Sequence, residues 1–420
     1  MNLSIRIGES SLNSAQIKRV ATLSNPSAAK AATACPRLEP TPPPVKGEGR
    51  PRRRLRLLVV GLIVASALAL AAPAISAGAP CSANPASFDA GSWPPACWRP
   101  YGSASPFNRP LGRDPRVERG SKRIVRGTLN EKRVQRIIVG HPRRSPGDFG
   151  HPIYYADRAD PLYTIRCVRW VQGCEVHGMK IRIPSKALPA GGSDAHMAVI
   201  DAASHWEYDL WEVRTAPLPS LGGTVWVGHG GRTRWGTPDS TGLHSNATAA
   251  HFGLSAGVIR AEEWAAAASR NGAIRHALFA GVSCTNGRSV YPAAPGTNGT
   301  VCEHGRKAAP PLGARYQLDM TNAQIDALRA PAWKSALLKT LARYGMIVGD
   351  TFGGSQHAFG IVSESDTQYT ALGYPGRFAA LGQAWDAPVY DGGYVFDIAP
   401  DVGWRKNLRV VRPCVSRRAC

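Results

Sequence analysis

Glycine and proline interrupt this chain at short intervals: 44 Gly and 34 Pro are spread over 420 residues. Neither is well tolerated inside a helix or a central strand, so bundles and coiled coils are excluded and short elements joined by turns are favoured. Hydrophobic residues make up 43%, enough for a sizeable core, which argues against a wholly disordered chain. Strand-like stretches lie between the turn signals at Pro152–Ala156, Tyr163–Val168, Met179–Ile183, His196–Ala202, His205–Val213 and Gly223–Val227. Others follow at Ile274–Val282, Arg315–Leu318, Met346–Asp350, Phe359–Ser363, Tyr394–Asp397 and Leu408–Val411.

Helical patterning is confined to a few places. One is Ala261–Ser269. Thr321 with Gln324 matches a capping box for a short helix through Leu328. Pro331 suits the first turn of the next helix, whose apolar side is Trp333, Ala336, Leu337, Leu341 and Tyr344, closed by Gly345. These signals predict a mainly β chain: a single β-sandwich or jelly-roll-like domain with two or three helical insertions.

Arg52-Arg53-Arg54-Leu55-Arg56 precedes an apolar stretch from Leu57 to Ala72 and small residues around Ala77. That is the pattern of an export signal over 51–77, cleaved after Ala77 or kept as a signal-anchor. The polar residues 1–50 read as a disordered extension that belongs to no ordinary signal, with Val45 an alternative start. Residues 78–145 form a Pro/Trp-rich and basic lead, and 146–420 the β-rich domain. The expected location is secreted or extracellular. Of nine cysteines, Cys35 precedes the signal and eight follow it: Cys81, Cys97, Cys167, Cys174, Cys284, Cys302, Cys414 and Cys420. An even count in an oxidising compartment implies four disulfides, and spacing suggests neighbour pairing, 81–97, 167–174, 284–302 and 414–420. No Cys-x-x-Cys pair points to zinc; neither a resident metal nor a cofactor is expected, although calcium held by Asp and backbone oxygens stays open.

The formal charge of +22 invites a nucleic-acid reading, yet the basic residues are 40 Arg against 11 Lys, the bias of a GC-rich genome. No nucleic-acid motif accompanies the charge, so no nucleic-acid partner is expected. The densest basic run, Arg113–Arg144, reads either as a solvated face or as contact with an anionic surface or polymer.

The richest chemistry lies in Ser193–Asp201 and His205–Glu212, two strands joined by a short turn and therefore a hairpin. If Ala203-Ser204 form the loop, Ala198 faces Asp209 and His196 faces Trp211. Asp194, His196, Glu207, Asp209 and Trp211 then share one sheet face. Indoles stack on sugar rings and carboxyls act as general acids and bases, so this composition suits carbohydrate; the bland alternative is a solvated face whose acids pair with the surplus Arg. His276, polar within an apolar strand beside Arg275, and Asp350, ending a buried strand, are further candidates; a satisfied core histidine and a turn-capping Asp are the structural alternatives. Gly253-Leu254-Ser255-Ala256-Gly257 matches a nucleophile-elbow pattern, but the apolar strand that should precede it is weak.

Seven phrases stand out along the chain: Cys97-Trp-Arg-Pro-Tyr101, Ser105-Pro-Phe-Asn108, Gly192-Ser-Asp-Ala-His-Met197, Trp206-Glu-Tyr-Asp-Leu-Trp211, Arg275-His-Ala-Leu278, Pro311-Leu-Gly-Ala-Arg315 and Tyr344-Gly-Met-Ile-Val-Gly-Asp350. In them the chain resembles a family of uncharacterised secreted proteins of high-GC Gram-positive bacteria. The phrases span nearly all of the exported part. The resemblance implies a β-rich exoprotein and carries over no catalytic residue.

The functional expectation is an exported polysaccharide-active protein, a glycoside hydrolase or polysaccharide lyase acting on an extracellular or cell-wall glycan. Asp209 and Asp350 are the expected acid/base or nucleophile pair, with Glu207 in reserve. His196, held by Asp194, and His276 would orient substrate or abstract a proton; Trp211 would stack on a sugar and Arg275 would neutralise a uronate. The alternatives are a non-catalytic glycan-binding module and a serine esterase using Ser255.

Overall fold

The computed structural model describes residues 93–112, 114–130, 132–352 and 357–412. The expected extension 1–50, the signal 51–77, Cys81, Cys414 and Cys420 lie outside them. In chain order the elements are α1 (Ser121–Thr128), β1 (Ile137–Val139), β2 (Ile153–Ala156), β3 (Leu162–Cys167), β4 (Lys180–Arg182), β5 (Met197–Asp201) and β6 (Trp206–Val213). Then come β7 (Gly223–Arg234), α2 (Ala261–Ser269), β8 (Leu278–Val282), β9 (Arg315–Leu318), α3 (Asn322–Ala327), α4 (Ala332–Arg343) and β10 (Met346–Thr351). Last are β11 (Phe359–Ile361), α5 (Thr367–Thr370), α6 (Arg377–Ala384), β12 (Val389–Tyr390), β13 (Gly393–Phe396), α7 (Trp404–Asn407) and β14 (Leu408–Val411).

The strands build a six-stranded sheet ordered β2-β5-β6-β7-β3-β4, a five-stranded sheet ordered β11-β8-β10-β9-β14, and a three-stranded sheet ordered β1-β13-β12. One hydrophobic core contains Ala198 and Ile200 from the first sheet together with Leu278, Ala280 and Ile347 from the second. The two sheets therefore share a core, as layered β architectures do. A second core on the other side of the six-stranded sheet collects Tyr154, Met197, Val199, Tyr208, Leu210 and Val225. Burial on both faces explains why β5 is buried at every position rather than alternating.

The chain is mainly β with helical insertions, as its patterning predicts. The helices number seven among the described residues, more than the two or three expected, because α1, α5, α6 and α7 are only four to eight residues long, too short for a pattern to stand out. The pairs β2–β5, β3–β7 and β8–β10 are parallel, so long crossovers replace some hairpins. The predicted cap is present: the Thr321 hydroxyl accepts from Gln324 N, and the Gln324 side chain accepts from Thr321 N. Gly345 takes φ +72° to end α4, a conformation that favours glycine. The Pro/Trp-rich lead is not an appendage, since Trp98, Tyr101, Phe107, Ile124 and Val125 are part of the main core.

Two of the expected disulfides, Cys167–Cys174 and Cys284–Cys302, are formed. They are the bonds of an oxidising compartment. No helix among the described residues is long and apolar enough to cross a membrane. Peptide mapping without reduction should recover these two links, and a 167–302 or 174–284 link would contradict the fold. Leu210, fully buried, should cost about 2–5 kcal/mol when cut to alanine, read by denaturant unfolding.

Candidate active site

β5 and β6 pair with Ala198 opposite Asp209, Val199 opposite Tyr208 and Ile200 opposite Glu207, the register expected from the sequence. The loop itself is longer than two residues. Asp201 faces Trp206, and Ala202–His205 close the turn through His205 N to Asp201 O at 3.1 Å. The Asp201 carboxylate caps it by accepting from Ala203 N and the Ser204 hydroxyl. The extra residues are added symmetrically, so the pairing is preserved.

Glu207 and Asp209 do share a face, but that face is covered, and both residues have 0% exposure. Glu207 Oε2 accepts from the Tyr101 hydroxyl at 2.6 Å and the Ser255 hydroxyl at 2.7 Å, and Oε1 accepts from Ser255 N at 2.9 Å. Asp209 Oδ2 accepts from the Ser245 hydroxyl at 2.5 Å and Oδ1 from Leu254 N at 3.0 Å. Burial pushes the Asp209 carboxyl well above the usual range, the nearby Glu207 carboxylate adds to this, and the Ser245 and Leu254 bonds oppose it. A polymer has no path to Asp209 in this arrangement.

Two glycines permit the covering. A side chain at Gly231, opposite Asp209 in the ladder, would overlap the Asn246 backbone; one at Gly253 would overlap the Tyr101 hydroxyl. Gly253 is the first glycine of the G-x-S-x-G match, so here the pattern serves close packing. Ser255 sits among consecutive turns, with neither strand before it nor helix directly after it, and its hydroxyl is spent on Glu207.

The same covering segment meets a second, more accessible group. Leu254, whose N–H serves Asp209, gives its carbonyl to His151 Nδ1 at 2.7 Å. The His151 ring stands edge-on to His196, with centroids 4.7 Å apart. Burial pushes the His151 imidazole down to about 3 and that of His196 down to about 4, so both are neutral at pH 7. Asp350, half-buried on β10, accepts from Ala249 N at 3.2 Å and Thr351 N at 2.7 Å. Burial above all, with a smaller share from the Asp194 charge, raises its carboxyl to about 6 against those two bonds. Asp194 is thus the electrostatic neighbour of both Asp350 and His151.

Asp194 also accepts from Trp211 Nε1 at 3.4 Å. Trp170 stacks on Trp211 with centroids 5.8 Å apart and planes 14° apart, and 68% of Trp170 is exposed. The Cys167–Cys174 bond closes the loop that carries Trp170. His229, opposite Trp211 in the ladder, lies edge-on to Trp170 at 5.7 Å.

Asp194 touches Trp211 and acts through its charge on Asp350 and His151, whereas His196, expected to be held by Asp194, instead meets the Ala247 backbone and the His151 ring. Glu207 and Asp209 are buried, and Arg275 is exposed. His276 precedes β8 instead of lying within it. It spends Nε2 on Glu263 at 2.9 Å and Nδ1 on Ala277 O, the bonds of a satisfied core histidine. Burial would raise Glu263, but His276 and Arg260 beside it hold it below its ordinary value. A cavity of about 20 Å³, the room of one water, separates this cluster from Ser255 and Tyr101. Sequence reading missed His151, Trp170 and His229; the one local hint was an exposed-type Trp inside a seven-residue disulfide loop. Among the described residues no group of three or more His, Cys, Asp or Glu side chains is arranged to hold a metal ion. Comparison with family models, curated proteins and solved structures finds no match.

The raised Asp209 carboxyl carries a pH signature. A carboxyl whose folded value is raised favours the native state at low pH and loses that advantage as pH climbs from the unfolded value through the folded one. Asp209→Asn, an uncharged isostere, should therefore melt increasingly above wild type as pH rises from about 4, the ordinary carboxyl value. A melting difference that stays constant with pH would overturn the assignment. Glu207→Ala strands the Tyr101 hydroxyl and Ser255 N–H and should cost roughly 3 kcal/mol or more.

Proposed function

We propose that the protein is an exported polysaccharide-active enzyme of the glycoside-hydrolase type, with Asp350 and Asp194 as its catalytic carboxyls. The carrying observation is the Asp350 carboxyl, half-buried on β10 and raised to about 6 chiefly by burial, within the electrostatic reach of Asp194, which bears the indole platform of Trp211 and Trp170. An acid that keeps its proton near neutral pH can protonate a glycosidic oxygen, while an ionised neighbour stabilises the oxocarbenium charge or serves as nucleophile or base. The exposed face of Trp170 offers stacking area for a sugar ring. Export agrees with the apolar segment after Arg52–Arg56 and with the disulfides.

This reading moves the acid pair from Asp209–Asp350 to Asp194–Asp350, because Asp209 is sealed. The disulfide-intact protein should release reducing ends from one or more neutral or uronate polysaccharides. Activity should fall as pH rises above about 6, where Asp350 loses its proton. Asp350→Asn and Asp194→Asn should each lower kcat by about a hundredfold or more while remaining folded. Glycan binding without turnover would replace the enzyme by a binding module. Unsaturated products absorbing in the ultraviolet would replace hydrolysis by elimination.

A further inference from the structure

A second concavity opens at the carboxyl end of β8. It has a cavity volume of about 450 Å³, within the size range of sites that hold small organic ligands. One wall is α1, which buries Ile124, Val125 and Thr128 and turns Arg123 and Arg126, three residues apart, outward on one side. The floor includes Val282, Ala308, Ala309 and Ala358, and the Cys284–Cys302 disulfide stands on the far side. Lys132 Nζ donates to the buried Ser283 hydroxyl at 2.6 Å, which anchors the ammonium group against the wall. Among the described residues, no acidic side chain lines the groove. Among the described residues, no carboxylate pairs with Arg123, Arg126 or Lys132.

Three cations on two walls above an apolar floor favour a ligand with spaced negative charges and nonpolar ring faces. A lone phosphate would fill little of this volume. The groove also adjoins the Asp350 site. Val282 pairs with Thr351 in the parallel β8–β10 ladder, and Thr300, inside the disulfide loop, donates its N–H to Thr351 Oγ1 at 3.0 Å. Ligands commonly bind beyond the carboxyl ends of parallel strands, where loops diverge.

We propose that this groove binds the carboxylate-bearing units of an acidic glycan, with Arg123, Arg126 and Lys132 pairing its carboxylates. It names the substrate class of the enzyme and rests on that reading only for the link to turnover. Binding is therefore measured separately from catalysis.

Calorimetry on the disulfide-intact protein would use an oligogalacturonate, a neutral oligosaccharide of equal length and inorganic phosphate. The oligogalacturonate should bind, more weakly at high salt, and the neutral sugar should not. Arg123→Gln with Arg126→Gln, both exposed and so neutral for folding, should weaken binding about tenfold or more, and adding Lys132→Gln should weaken it further. Asp350→Asn should bind as wild type does. No oligogalacturonate binding by folded protein, equal binding of the neutral sugar, phosphate binding as tightly, or indifference to the arginine substitutions would each overturn the proposal. Charge-dependent binding without degradation of any glycan would uphold the groove and sink the catalytic reading.

Discussion

Two carboxyl groups on one strand, Glu207 and Asp209, are buried completely, and the arrangement of the site follows from satisfying them. Removing a carboxylate from water costs several kcal/mol unless hydrogen bonds replace its hydration. The replacements come from Tyr101 in the lead segment and from Ser245, Leu254 and Ser255 in one loop. That loop is thereby held against the six-stranded sheet. Its other backbone groups then fall where the site needs them: Leu254 O on His151 and Ala249 N on Asp350. The buried acids hold the loop in place, and the loop in turn positions groups around the accessible Asp350.

The lead segment is drawn into the same arrangement. Tyr101 reaches Glu207, Ser105 donates to Thr241 O, and the buried Arg260 donates to Pro94 O and Trp98 O. These bonds satisfy polar groups on both sides, so the Pro/Trp-rich stretch, which lacks regular structure, is ordered by side chains of the domain. The basic run that follows it forms α1 and the wall of the groove, so the charge concentrated there lines a surface beside the Asp350 strand.

What was legible in the sequence was what short-range rules govern. The β5–β6 register depends on a local turn, and the four-residue loop preserved it because residues were added equally to both sides. The capping box at Thr321, the helix from Ala332 and the strand ending in Asp350 follow from neighbours a few residues apart. The close-spaced pairs Cys167–Cys174 and Cys284–Cys302 follow from loop proximity. The exposure of Glu207 and Asp209 was not legible. Alternation assigns a residue to a face but does not say whether a loop 36 to 48 residues further on covers that face. His276 failed as a candidate for the same reason, since its partner Glu263 lies on a helix rather than in its own strand.

The sequence by itself determined a β-rich chain, the facing of its acids, and the two disulfide pairs Cys167–Cys174 and Cys284–Cys302, because all three depend on side-chain period, turn chemistry and contour distance. Only the tertiary structure decided which acids are structural and which are reachable, that Asp194 rather than Asp209 neighbours Asp350, and that Trp170 joins Trp211. Those outcomes depend on backbone groups distant in sequence competing to solvate each buried charge, and that competition is settled only when the sheets and loops have packed.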